Sequence, residues 1–336
     1  MADRPQPTAA SAEDDLIARH FKPLAGVPGA LGLTDDAAVL APPPGCDLVL
    51  TVDALVAGVH FFADDPPDLV ARKALRVNLS DLAAKGAQPA GFLLALALPA
   101  GVDDRWLAAF ARGLGDDAAL FGCPLFGGDT VRTEGPAVIS ITAFGTVPGG
   151  RMVKRAGARP GDRIFVTGTI GDAAFGLYLR RAGAAAAEAL TPAQRAHLAD
   201  RYLLPQPRNA LAPALAAHAT AAMDVSDGLA GDLAKLCRVS GVSARVAIAA
   251  VPLSEAAQAV LRDAPALVET ALTGGDDYEI VCAVPPERAA SFEAAARGAG
   301  VAVTAIGDIV AGEGPPAFLD AAGHPLRFAR LSFSHF

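Results

Sequence analysis

The order of apolar and polar positions predicts a mixture of helices and strands along the whole chain. In the segment 103–121, Trp106, Phe110 and Leu114 lie four residues apart and so share one helical face. Short apolar runs such as LVLTVD at 48–53 lack that spacing and are typical of strands. Helices are predicted at 12–21, 68–85, 103–121, 172–182, 209–218, 228–240 and 287–299. Strands are predicted at 48–53, 92–98, 137–147, 163–167, 244–249, 278–284 and 301–306.

The length of the chain and a turn-rich segment near its middle predict two domains. The chain has 336 residues, and a domain usually takes about 100–200 of them. The turn-rich stretch VPGGR at 147–151 breaks the pattern near the middle of the chain. We therefore predict domains at 12–149 and 150–336, preceded by a disordered tail at 1–11 that is rich in Pro and Ala. Helices and strands in both halves indicate an α/β or α+β fold class.

Composition and charge argue against several classes of protein. The net charge of −8 argues against a broad nucleic-acid-binding surface, which needs a basic face. The longest apolar stretch, 91–102, contains Pro99 and is too short to span a bilayer. The N-terminus has no apolar run of the kind found in a secretory signal. The four cysteines are scattered without metal-ligand spacing, so we predict reduced thiols in a cytoplasmic protein.

The placement of aspartates is the main sign of chemistry. Most acids belong on solvated surfaces, and any single Asp beside a glycine is typical of a turn or a helix cap. Here the pattern recurs in both halves, and acids at strand ends can meet in one cleft. Oxygen ligands without His or Cys favour Mg²⁺, which commonly meets substrate phosphates. The aspartates in this pattern are Asp35, Asp36, Asp53, Asp81, Asp129, Asp224, Asp227, Asp276 and Asp277.

Other nucleotide-binding and catalytic motifs are absent from the sequence. No GxxxxGK[ST] loop, kinase HRD or DFG motif, or GxSxG elbow occurs, and no GxGxxG follows a predicted strand. A nucleotide would therefore be held by glycine-flanked acids, metal ions and arginine.

Several stretches of the sequence resemble those of the thiamine-monophosphate kinase family, within the aminoimidazole-ribonucleotide-synthetase-like ATP-binding superfamily. The resemblance runs from about Asp15 to Phe336. The stretches that carry it are TDDAAVL (34–40), TVDALVAGVHF (51–61), RKALRVNLSDLAAKGAQP (72–89), FGGDT (126–130), KRAGARPGD (154–162), VTGTIGDAAFGL (166–177), MDVSDGLAGDL (223–233) and LTGGDDYE (272–279). The VDALVAGVHF stretch is the more specific, since the wider superfamily shares the GGD elements.

The resemblance implies a phosphotransferase that acts on thiamine monophosphate. The γ-phosphoryl group of ATP would pass directly to it, giving thiamine diphosphate, with several Mg²⁺ ions and no covalent nucleophile, so no residue is assigned as catalytic. The implied architecture is an α+β N-terminal domain with a mixed sheet and an α/β C-terminal domain. Family members are homodimers whose N-terminal sheets meet, and no nucleic-acid or membrane partner is implied.

The resemblance also implies site residues, carried over motif by motif. The metal ligands would be Asp36, Thr51, the Val52 carbonyl, Asp53, Asp81, Asp129, Asp224 and Asp227. ATP would contact Gly128, Asp129, Arg155 and Ser226, and thiamine monophosphate would contact His60, Asp276 and Phe333.

The sequence departs from the family pattern at four places. Thr34 replaces a usual glycine, and Val52 a frequent threonine. Asp276 stands where Glu is common, and a late aromatic-Gly-aromatic pattern is reduced to Leu331-Ser332-Phe333. No carboxylate is lost by these changes. Two alternatives stay open at this point, namely another ATP-dependent enzyme of the superfamily and a non-catalytic Mg-nucleotide-binding protein.

Overall fold

The computed structural model describes residues 12–183 and 188–332, so the tail expected at 1–11 lies outside the described residues. Helices and strands alternate in a mixed order, and the predicted α/β fold class is confirmed. The α-helices are α1 (Ala12–Leu16), α2 (Pro67–Ala84), α3 (Asp104–Leu120), α4 (Asp172–Ala182), α5 (Pro192–Leu203), α6 (Ala212–His218), α7 (Leu229–Ser240), α8 (Glu255–Asp263), α9 (Val268–Thr273) and α10 (Pro286–Gly298). Among these helices, none combines the length and apolar content needed to cross a bilayer.

The strands form two sheets. The strands are β1 (Cys46–Val56), β2 (Gln88–Pro99), β3 (Leu125–Thr133), β4 (Val138–Pro148), β5 (Arg163–Thr167), β6 (Ala221–Val225), β7 (Ser243–Ala247), β8 (Glu279–Val284), β9 (Val303–Val310) and β10 (Ala317–Leu319). The first sheet has the order β1-β4-β2-β3, with β2 and β3 parallel. The second has the order β10-β7-β9-β5-β8-β6, in which β10 and β7 are parallel and the other pairs antiparallel.

The chain divides into two compact units. The first comprises the described residues of Met1–Ala41 together with Val52–Leu75 and Ala90–Thr142. Helix α3 shows how the sequence pattern builds this unit: the Asp103 side chain caps its first turn by accepting the Trp106 N–H at 2.9 Å. Phe110 and Leu114 on the apolar face are fully buried. Burial of such side chains contributes about 1.5–3 kcal/mol each.

The second unit comprises Pro42–Thr51, Arg76–Pro89 and the described residues of Ala143–Phe336. Successive residues of its strand β5 enter different core clusters. Ile164 packs into the cluster that contains Leu233 of α7, whereas Phe165 packs into the cluster that contains Phe292 of α10. Both faces of the sheet are therefore covered at β5, which explains why β5 and its neighbour β8 are buried along nearly their whole length rather than on alternate residues.

Several elements differ from the sequence prediction. The helix expected at 12–21 is an α-helix only to Leu16, and it continues as a π-helix over Ile17–Phe21. The helix predicted at 68–85 begins one residue earlier, at Pro67, and Asp68 lies in its first turn. The prediction missed six elements, β3, β6, β10, α5, α8 and α9. Strand β3 contains Gly127 and Gly128, and glycine is disfavoured in strands.

Candidate functional site

The GGD motif of the first unit lies inside a strand and not at a strand end. Gly128 and Asp129 pair with Leu94 and Ala95 of β2, and a register shift between Phe92 and Leu93 marks a bulge. A Cβ at Gly128 would lie 1.9 Å from the Leu94 carbonyl oxygen, so only glycine allows this approach. The Asp129 side chain is exposed.

Asp53 also differs from the expectation that the acids end their strands. It lies within β1, which continues to Val56 because the chain stays extended beyond the apolar run. Asp36 is exposed in the loop before β1. Thr34, which replaces a usual glycine of the family pattern, has an ordinary φ of −117°, so glycine is not required there. The left-handed backbone falls instead on Leu31 and Leu33, with φ of 51° and 53°.

His60 is held in the first unit by hydrogen bonds on two sides. Its Nδ1 accepts the Val56 N–H at 3.0 Å, and its carbonyl oxygen accepts from the buried ammonium of Lys73 at 3.2 Å. Because a backbone N–H can only donate, the proton of a neutral imidazole lies on Nε2. Any hydrogen bond that the neutral ring donates must therefore come from Nε2.

In the second unit, Asp81 near the end of α2 contacts Thr51 of β1. The Thr51 hydroxyl donates to Asp81 Oδ2 at 2.5 Å, so two of the expected metal ligands are adjacent. Val52 belongs to the first unit and is 60% exposed. Only its carbonyl oxygen offers a ligand.

Lys85 was not singled out by the sequence analysis, although it is close to several expected site residues. Its ammonium donates to the Ala222 carbonyl oxygen at 2.8 Å. Burial lowers the pKa of Lys85, the charges of Asp224 and Asp81 oppose that shift, and the charge of Arg155 adds to it. The signal in the sequence was the spacing, because Lys85 lies four residues after Asp81 on one helical face.

The two acidic motifs of the second unit form adjacent loops. The Asp276 N–H donates to the Ser226 carbonyl oxygen and the Tyr278 N–H donates to that of Val225, both at 2.8 Å. Asp276 and Tyr278 have φ of 64° and 50°, which is uncommon for residues other than glycine. A Cβ at Gly275 would lie 2.5 Å from the Ser226 oxygen. The loop is thus held in a strained form against the DVSD stretch, as is frequent at functional sites.

Asp277 has a structural role that its neighbour Asp276 does not share. Both of its carboxylate oxygens accept the Gly171 N–H, at 3.0 and 2.9 Å. Gly171 precedes α4 with φ of 88° and has no side chain to cap the helix. Burial raises the pKa of Asp277 well above its usual value, and the charges of Asp172 and Glu279 add to that rise. The sequence alone did not separate the two aspartates.

Glu279 forms a buried ion pair next to this loop. Arg208 donates to both oxygens of the Glu279 carboxylate, through Nε at 2.6 Å and through a short contact from its terminal nitrogen. The Thr167 hydroxyl donates to the same carboxylate at 2.6 Å. A Cβ at Gly168 would lie 2.1 Å from Glu279 Oε1, so glycine is needed beside this pair.

One of the expected substrate contacts, Phe333, lies outside the described residues. Within residues 12–183 and 188–332, no three His, Cys, Asp or Glu side chains converge tightly enough to hold a metal ion by themselves.

A cavity of about 320 Å³ lies in the second unit between α4 and α5, lined in part by Arg180, Arg195 and Tyr202. None of the expected site residues lines it.

Comparison with known proteins places this arrangement in a family. Residues 34–147 match the AIR synthase related protein N-terminal domain, and residues 159–319 match the corresponding C-terminal domain. The chain is 48% identical to the thiamine-monophosphate kinase of Caulobacter vibrioides, an alignment that covers 99% of this chain and 94% of the relative.

Solved structures agree. The structure of thiamine-monophosphate kinase from Stenotrophomonas maltophilia K279a superposes with a TM-score of 0.81 and 38% identity, covering 94% of this chain and 98% of that one. A structure described as AaThiL complexed with AMPPCP and TMP gives a TM-score of 0.76 and 31% identity, covering 90% and 91%. The chain, which matches both AIR synthase related domains, therefore belongs to the thiamine-monophosphate kinase family.

Proposed function

We propose that this protein phosphorylates thiamine monophosphate with ATP, producing thiamine diphosphate and ADP. The observation that carries the proposal is similarity over nearly the whole chain to relatives named thiamine-monophosphate kinase. One of the similar structures, moreover, is described as complexed with AMPPCP and TMP. The carboxylates expected from the motifs all lie within the described residues.

Magnesium is part of the proposal because the donor set fits it. The expected ligands are carboxylates, a hydroxyl and a carbonyl oxygen, which are the ligands that Mg²⁺ prefers. The Thr51–Asp81 contact and the exposed carboxylates of Asp36 and Asp129 offer such oxygens. Bound Mg²⁺ would neutralise phosphate charge and favour transfer. The expected ligands are Asp36, Asp53, Asp129 and the Val52 carbonyl in the first unit, and Thr51, Asp81, Asp224 and Asp227 in the second.

The remaining side chains would bind and orient the two substrates. Arg155 is exposed and has planar N–H donors that suit phosphate oxygens of ATP. Gly128 and Ser226 would be further contacts of ATP. His60 would donate from Nε2 to the phosphate of thiamine monophosphate. Asp276 would balance the positive thiazolium ring, and Phe333 would stack on the substrate. No side-chain nucleophile is needed, because positioning and charge neutralisation account for direct phosphoryl transfer.

The test is turnover by the purified full-length protein. Incubation with Mg-ATP and thiamine monophosphate should give thiamine diphosphate and ADP in equal amounts, measured by chromatography. Asp129→Asn should reduce turnover by at least about a hundredfold, as expected when a group that stabilises developing charge is removed. Glu134→Gln, an exposed carboxylate just beyond the same strand, is the matched control and should retain turnover. Mg-ATP binding without product would favour another acceptor or a non-catalytic protein.

We also propose that the protein is a cytoplasmic homodimer. Leu48, Leu50 and Val52 alternate along β1, at the edge of the first sheet, and are 37%, 63% and 60% exposed. An apolar face on an edge strand is a common interface between subunits. Leu50→Glu should shift the mass measured by light scattering from dimer to monomer. Leu120→Glu, at an equally exposed leucine on α3, should leave the mass unchanged.

A further inference from the structure

Lys235 of α7 binds one of the expected metal-ligating carboxylates directly. Its ammonium makes a short contact with Asp227 Oδ2 and donates to Asp232 Oδ1 at 2.8 Å. The Asp227 side chain is 37% exposed, whereas that of Asp232 is fully buried. Lys235 thus joins an accessible carboxylate to one that solvent does not reach.

Asp232 keeps Lys235 in this position. While Oδ1 of Asp232 accepts from Lys235, its Oδ2 accepts the backbone N–H of Asp227 at 2.9 Å. Removing the ammonium from Asp232 would leave a buried carboxylate without its counter-ion, which is costly. The ammonium is therefore fixed beside Asp227 rather than free to move into solvent.

We propose that Lys235 competes with divalent cations for the carboxylate of Asp227. This inference rests on the proposed function, in which Asp227 is a metal ligand. A carboxylate oxygen that accepts from an ammonium is less available to a metal ion, and a divalent ion on the other oxygen would lie close to a fixed positive charge. Asp227 consequently binds a free divalent cation weakly. Nucleotide phosphates would supply the negative charge that offsets both cations.

The test measures binding of Mn²⁺ alone to the full-length protein without nucleotide, by electron paramagnetic resonance and calorimetry. Lys235→Gln should bind Mn²⁺ at least about tenfold more tightly than the wild type, because the ammonium–metal repulsion exceeds thermal energy even in water. Lys235→Arg keeps the charge and should match the wild type. The gain should disappear in Lys235→Gln combined with Asp227→Asn.

The inference is overturned if Lys235→Gln shows no gain, or if the gain persists without the Asp227 carboxylate. Should Lys235→Gln fail to fold, Lys235→Gln with Asp232→Asn removes the ammonium and the buried carboxylate together. That variant should still bind Mn²⁺ more tightly than the wild type, and the absence of a gain there overturns the inference equally. Failure of the proposed function would show separately, as absence of thiamine diphosphate from the wild type.

Discussion

Replacing Arg208 with methionine should destabilise the second unit strongly, because it leaves the Glu279 carboxylate buried without its counter-ion. Glu279 is only 4% exposed and immediately follows the loop that carries Asp276. The variant would keep the hydrogen bond from the Thr167 hydroxyl at 2.6 Å but lose both contacts from the guanidinium.

Two physical limits set the size of this effect. Breaking a buried ion pair by removing one partner costs about 3–5 kcal/mol. The Arg208 side chain is 25% exposed, so water can partly replace it and the lower end applies. We therefore expect a loss of about 3 kcal/mol at pH 7.

Urea unfolding followed by circular dichroism at pH 7 measures this loss. Arg208→Met combined with Glu279→Gln is the matched control, because it leaves no buried charge while Gln can still accept from Thr167. The double variant should lose less stability than Arg208→Met alone. A loss under about 1 kcal/mol for Arg208→Met, or an equal loss in the double variant, would refute the assignment of Glu279 as a buried, charged partner.

Three further results are expected. His60→Ala should raise the KM for thiamine monophosphate more than that for ATP in steady-state kinetics, and the reverse ranking would remove His60 from the substrate site. Asp277→Asn should gain stability relative to the wild type as pH rises above about 4, because the raised pKa of Asp277 means that the native state keeps a proton which the unfolded state releases. Urea midpoints at about pH 5 and 7.5 test this, and a constant difference would contradict it. Asp103→Ala should cost about 1 kcal/mol through loss of the α3 cap, and an unchanged midpoint would show that the cap is dispensable.

The elements predicted best from the sequence are those with local signals. Helix α4 lies at 172–182 as predicted, and α3 begins after the Asp103 cap. By contrast, β3 was missed because its glycines and polar residues lack strand propensity, and it is held in place by parallel pairing with β2. Pairing between distant strands outweighs local preference there.

The aspartates of the candidate site likewise have some properties that the sequence predicts and others that it does not. The sequence marked the glycine-flanked aspartates as a group, but it could not separate their roles. Asp276 and Asp277 are neighbours in sequence, yet one lies on a strained loop against Ser226 while the other caps α4. Lys85 and Lys235 attracted no notice in the sequence, because a lone lysine is usually a solvated surface residue.

By itself, the sequence determined the fold class and the family and marked a set of candidate oxygen ligands, because these depend on apolar periodicity and on motifs of adjacent residues. Only the tertiary structure decided which carboxylates have counter-ions and which cap helices. Those properties depend on distances between side chains that are far apart in the chain, such as the contact of Arg208 with Glu279. The pairing and burial of these charged side chains arise only when the chain folds, and the residues next to each of them in the sequence do not specify either property.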